Sequence, residues 1–76
     1  GKHEIVLKAG QKTEKWLTFP SGVRIGLTSE DYKYKIIYPN GDVKDAWKLK
    51  QMPSRYKFKL LALTDQNITL HVKQAL

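Results

Sequence analysis

The chain contains no cysteine, and this absence removes two common staples of a small domain, a disulfide framework and a thiolate-held structural zinc. No apolar run approaches the roughly 20 residues that a membrane helix needs. No positively charged segment followed by an apolar stretch resembles a signal peptide, although a chain opening on Gly1 rather than methionine leaves room for a removed leader. Glycine and proline are few and placed singly, so there is no low-complexity linker and no internal repeat.

The chemistry of catalysis is also missing. There is no glycine-rich phosphate loop, no Gly-x-Ser-x-Gly and no cluster of metal-ligand residues. His3 falls near the start of the chain and His71 on the outward side of the last alternating run, with no nucleophile at a readable spacing from either. Glu30 and Asp31 are the only adjacent acids. Neighbours in an extended chain point to opposite sides, so this pair suits a turn better than an acid/base dyad. Asn67-Ile68-Thr69 fits the glycosylation pattern, but Asn67 more simply serves a turn. No cofactor is expected, and the chain reads as non-enzymatic.

What is present is alternation. Residues 32–38 read Tyr-Lys-Tyr-Lys-Ile-Ile-Tyr, followed by Pro39-Asn40-Gly41-Asp42 and then Val-Lys-Asp-Ala-Trp-Lys-Leu-Lys over 43–50, so that Tyr32, Tyr34, Ile36 and Tyr38 alternate with Lys33, Lys35 and Ile37. Asn-Gly between alternating apolar runs is a strong short-range hairpin signal, because both residues tolerate the positive φ of a tight turn. With Asn40 and Gly41 as a two-residue loop, Tyr38 faces Val43, Ile36 faces Asp45, Tyr34 faces Trp47 and Tyr32 faces Leu49. The opposite side then carries Lys33, Lys35, Ile37, Lys44, Ala46, Lys48 and Lys50. A three-residue loop with a bulge would slip this register by one. In the two-residue register Lys33 stands opposite Lys48, an arrangement that costs a few tenths to about 1 kcal/mol.

The rest of the chain follows the same rhythm. Ile5 to Leu7 reads as a short edge strand. Residues 12–19 read as a strand that starts polar and enters the core at Trp16, Leu17 and Phe19. Val23, Ile25 and Leu27 alternate with Arg24, Gly26 and Thr28, and Gly26 suggests a bulge or a close approach. Tyr56, Phe58, Leu60 and Ala62 oppose Arg55, Lys57 and Lys59, while Leu61 and Leu63 predict burial on both sides at that strand's end. Ile68, Leu70 and Val72 form the last run. The only candidate helical turn lies near Ala46 to Gln51. Seven short strands at this spacing predict one all-β domain over residues 1–76, a small antiparallel β-sandwich or barrel with a central Asn-Gly hairpin. A chain of this size buries only about 60% of the surface that its unfolded form exposes.

In the order of its turns and alternating runs the chain resembles small jelly-roll-like β-sandwiches appended to exported bacterial proteins. The expected source is an exported, envelope or virion-associated protein, with an exported or envelope setting favoured over a cytoplasmic one.

Fourteen Lys and Arg against seven Asp and Glu give a formal charge of +7, which favours anionic partners. The excess is concentrated at Lys33, Lys35, Lys44, Lys48, Lys50, Arg55, Lys57 and Lys59, and these residues are the expected contact face. The leading expectation is an interaction module for an acidic protein, polysaccharide or lipid headgroup layer. The alternative is a small barrel that binds single-stranded DNA or RNA through the same lysines. Strict alternation weakens that alternative, because it sends the aromatics to the core and the lysines to solvent, whereas stacking needs both on one face. Unpaired sheet edges would also permit an edge-to-edge homodimer.

Overall fold

The structure, a computed structural model, describes residues 2–19, 23–46 and 57–74. Among these residues it is all β, with strands β1 (Lys2–Leu7), β2 (Val23–Thr28), β3 (Tyr34–Ile37), β4 (Val43–Asp45), β5 (Lys59–Ala62) and β6 (Gln66–Gln74). They form two antiparallel three-stranded sheets, ordered β1-β6-β2 and β4-β3-β5. The period-two runs become strands because alternate apolar residues can all be buried on one side of a pleat.

In the first sheet, β6 lies between β1 and β2. Ile5 is paired with Ile68, Ile25 with Val72 and Leu27 with Leu70, so the apolar sets of the three strands fall on one side. In the second sheet, Tyr34 is paired with Ala62 and Ile36 with Leu60. The buried residues of both sheets, Leu7, Ile25, Leu27, Ile68 and Leu70 with Tyr34, Ile36, Ala46, Phe58, Leu60 and Ala62, make one core. Phe58 is fully buried and stacks on Phe19 at 5.8 Å between ring centroids. Burial of each large apolar side chain contributes about 1.5–3 kcal/mol, which is a sizeable share of the stability of a domain this small.

Residues 12–19 do not form the expected seventh strand. The Gly10 amide, at φ 83°, donates to Ala62 O at 2.8 Å and delivers the chain to the free side of β5. Two isolated bridges follow, Lys12 with Leu61 and Leu17 with Phe58. Between Thr13 and Leu17 the chain advances four residues while β5 advances two, from Leu60 to Phe58, so Glu14 and Lys15 bulge outward. The polar start that hinted at a solvent end in fact belongs to this interruption. Leu17 and Phe19 pack against the core as expected, whereas Trp16 does not enter it and is 39% exposed.

The β3–β4 connection corrects the register. The Cα partners are Ile37 with Val43, Ile36 with Lys44 and Lys35 with Asp45, one residue away from the two-residue-loop arrangement. Tyr38 N–H donates to Asp42 O at 2.9 Å and Gly41 N–H to Tyr38 O at 3.0 Å. The loop is therefore Pro39-Asn40-Gly41, with Gly41 alone supplying the left-handed position at φ 94°. Asn40 Oδ1 accepts the Asp42 amide at 3.0 Å, which anchors the loop's far side.

The slip turns β4 over. Ala46, expected on the lysine side, is buried, and Val43, expected inside, is 52% exposed. Asp45 no longer opposes Ile36 but forms an ion pair with Lys35 at 3.4 Å. Lys33 precedes β3, and the expected partner Lys48 lies outside the described residues together with Trp47, Leu49 and Tyr56. Most of the candidate helical turn near Ala46 lies there too. Gly26 makes no bulge, since the β2–β6 register runs unbroken through it. Leu61 is half-buried and Leu63 is 48% exposed, so the end of β5 is less enclosed than predicted.

A polar latch joins the two connections that cross between the sheets. Asp31 Oδ1 accepts the Lys33 amide at 3.0 Å and Oδ2 accepts the Thr64 hydroxyl at 2.7 Å. These donors hold the Asp31 carboxyl below its ordinary range, the Lys33 amide contributing most. Gln66 Nε2 donates to the Lys33 and Thr64 carbonyls. Next to Asp31, Tyr32 adopts a left-handed φ of 54°, held by its amide's 2.8 Å bond to Ser29 Oγ.

Candidate functional site

The outward face of the second sheet is set by strand parity. Tyr34 and Ile36 point into the core, so Lys35 and Ile37 point out, opposite Leu61 and Lys59 of β5. The pairing continues past the strand end, where Leu63 N–H donates to Lys33 O at 2.9 Å and places Lys33 in the same outward row. Lys57 is exposed and has the parity of Lys59. Of the expected contact residues, Lys33, Lys35, Lys57 and Lys59 thus share one face.

Lys44 does not join them. The register places it opposite Ile36, on the core side of the short edge strand, where it reaches solvent at the rim. Lys48, Lys50 and Arg55 lie outside the described residues.

The structure adds two residues that sequence reading did not assign to this face. The bridge to Leu61 places Lys12 on it, and the Leu17–Phe58 bridge places Trp16 opposite Lys59. Lys59 Nζ stands 4.7 Å from the centroid of the Trp16 ring, a cation–π contact across the strand edge. No local pattern announces Trp16 as exposed, because it lies between Lys15 and Leu17 at the beginning of an apolar cluster. Only the bulge at Glu14 and Lys15 turns it outward.

The face is therefore not purely basic. Lys12, Lys33, Lys35, Lys57 and Lys59 surround a band made of Trp16, Ile37, Leu61 and Val43, with Asp45 at its β4 edge. The Lys35–Asp45 pair is exposed, and such pairs contribute between nothing and about 1 kcal/mol. The other lysines on the face have no carboxylate within ion-pair distance among the described residues. Tyr32 and Tyr38 pack against the core and are only partly exposed, so they do not supply the stacking surface.

Among the described residues there is no group of three or more His, Asp or Glu that could hold a metal, and no helix long and apolar enough to cross a membrane. The one strongly shifted group among them is Tyr34, which belongs to the core: burial, with the neighbouring Tyr32 adding to it, pushes its hydroxyl up to about 12. Comparison with protein-family models, with curated proteins and with solved structures finds no match to this chain.

Proposed function

We propose that this chain is a non-enzymatic interaction module, a small β-sandwich in architecture, whose second sheet presents a basic outer face to an anionic polymer or acidic protein surface. The observation that supports this reading most directly is the convergence of Lys12, Lys33, Lys35, Lys57 and Lys59 on one side of a sheet where, among the described residues, Lys35 alone of the five is ion-paired, to Asp45. Lysines clustered on a flat sheet repel one another. Bringing up a polyanion relieves that repulsion and releases the polymer's condensed counterions.

A second reading, binding of single-stranded nucleic acid, is favoured by one specific feature. Trp16 is exposed on the lysine face, and strict alternation alone would have separated aromatics from cations. A base stacked on such a ring contributes about 1–3 kcal/mol. Lys59 already lies over the ring and would move from it to a phosphate.

The test is a titration with labelled single-stranded DNA and with heparin at two salt concentrations, following anisotropy and tryptophan emission. Binding of either polymer that weakens with salt, and weakens further in the Lys35→Glu and Lys57→Glu variants, supports the module. Quenching with DNA alone, lost in Trp16→Ala, with a salt slope near −0.7 per phosphate contact, supports nucleic acid. Unchanged binding in both lysine variants refutes the assignment of this face.

A further inference from the structure

The first sheet has an outward face of its own, and its composition is not explained by folding. Parity sends Ile25, Leu27, Ile68 and Leu70 inward, so Arg24, Gly26 and Thr28 of β2 point out beside Lys73, His71 and Thr69 of β6. The register places Arg24 directly opposite Lys73, Gly26 opposite His71 and Thr28 opposite Thr69. Like charges directly opposite are destabilising. Neither Arg24 nor Lys73 makes an ion pair among the described residues.

Gly26 adds a second unexplained cost. A glycine inside a strand gives up stability to chain entropy, and with no bulge and no positive φ at residue 26 the local backbone does not demand one. What it does provide is a gap in the row of side chains between Arg24 and Thr28. Across that row the Thr28 hydroxyl and His71 Nε2 meet at 3.0 Å, which fixes the half-buried imidazole toward β2. The result is a polar patch on which a guanidinium, an ammonium, an imidazole and two threonine hydroxyls share one face, with the Glu4 carboxylate of β1 directly opposite Thr69.

We propose that this patch binds a tetrahedral oxyanion, the phosphate or sulfate group of an ester. Arg24 supplies a planar fork suited to two oxygens at once, Lys73 a point charge, and the threonine hydroxyls and the imidazole further hydrogen-bonding capacity. The bound anion converts the Arg24–Lys73 repulsion into a shared attraction. It occupies space that any side chain at residue 26 would fill. This site lies on the other sheet from the Trp16 face and does not depend on that face's function.

The experiment is a residue-resolved NMR titration of the whole chain with inorganic phosphate, inorganic sulfate and, at matched ionic strength, chloride. Saturable shifts confined to residues 24–28 and 69–73, seen with phosphate or sulfate and not with chloride, are the expected result. Arg24→Ala weakens the response at least tenfold and Arg24→Lys weakens it less. Gly26→Val abolishes it while the fold is kept, since valine suits a strand. Lys35→Glu leaves it unchanged, which separates this site from the second sheet. Phenyl phosphate and a sulfated monosaccharide, titrated in parallel, show which ester is preferred. Shifts that grow linearly with salt, that are equal in chloride, or that survive Arg24→Ala and Gly26→Val overturn the proposal.

Discussion

Replacing Tyr34 by phenylalanine should stabilise this protein, and by more at high pH than at neutral pH. Tyr34 is 1% exposed, sits opposite Ala62 in the second sheet, and its hydroxyl has no hydrogen-bond partner among the described residues. A buried hydroxyl left unpaired costs about 1–3 kcal/mol relative to its hydrated state in the unfolded chain. Deleting the oxygen removes that cost and leaves only a small void, so a net gain of about 1 kcal/mol is expected near neutral pH. With a urea dependence of about 1–2 kcal/mol per molar, the unfolding midpoint rises by roughly 0.5–1 M. The alkaline limb adds a second signature. Tyr34 ionises near 10 when unfolded and is pushed up to about 12 when folded. The unfolded chain therefore loses its proton first, and the stability that is fully present below about pH 10 drains away as pH rises toward 12. The total is on the order of 2–3 kcal/mol, at about 1.4 kcal/mol per tenfold. Contributions common to the two proteins cancel in the difference. Urea titrations of the two proteins from about pH 7 to 11 should therefore show a gap that widens with pH. A variant destabilised by more than about 1 kcal/mol at neutral pH would show that the hydroxyl is bonded after all. A gap independent of pH would show that it is hydrated.

Three other outcomes follow from the fold. Asp31→Asn should destabilise at neutral pH, because the Lys33 amide and Thr64 hydroxyl favour the carboxylate. Since this carboxyl is held below its ordinary range, its contribution is present above the unfolded value near 4 and lost as pH falls through the folded one, so wild type and variant should converge in acid urea titrations. Gly41→Ala places a side chain at φ 94° and should cost about 1 kcal/mol in thermal unfolding, through backbone strain alone, because nothing stands within 4 Å of the added Cβ. Phe58→Ala removes the most buried aromatic among the described residues and its stack on Phe19. The expected loss is about 3–5 kcal/mol, enough to leave much of the population unfolded at room temperature by circular dichroism.

The sequence carried the faces of single strands well and the relations between strands poorly. The inward sets Ile25/Leu27, Tyr34/Ile36, Phe58/Leu60/Ala62 and Ile68/Leu70 are those that alternation predicts, because period two is a property of one strand and needs no partner. The facing of β4 came out reversed. It depended on whether Asn40-Gly41 or Pro39-Asn40-Gly41 forms the loop, and both fit the same letters. One residue of loop length decides whether Ala46 or Val43 is buried. The candidate face was legible in the same unequal way. Lys33, Lys35, Lys57 and Lys59 follow from parity within their own strands, whereas Lys44 depended on the register and moved. Trp16 could not be placed from the letters, because its direction is set by a two-residue interruption opposite β5 that appears only when residues 12–19 are laid against that strand.

The order of the first sheet has a consequence in time. Its central strand is β6, the latest of the six strands in the chain, and β1 and β2 both hydrogen-bond to it. During synthesis, Lys2–Leu7 and Val23–Thr28 therefore wait with their edges open until residues 66–74 emerge. The second sheet meets no such delay, since β3, β4 and β5 are nearly consecutive in the chain. Pairings that close over such long stretches form late, so the second sheet is available to serve as the template on which the first assembles. Until β6 arrives, Ile5, Ile25 and Leu27 have no sheet in which to pair, and in that interval another nascent copy of the chain is their competing partner.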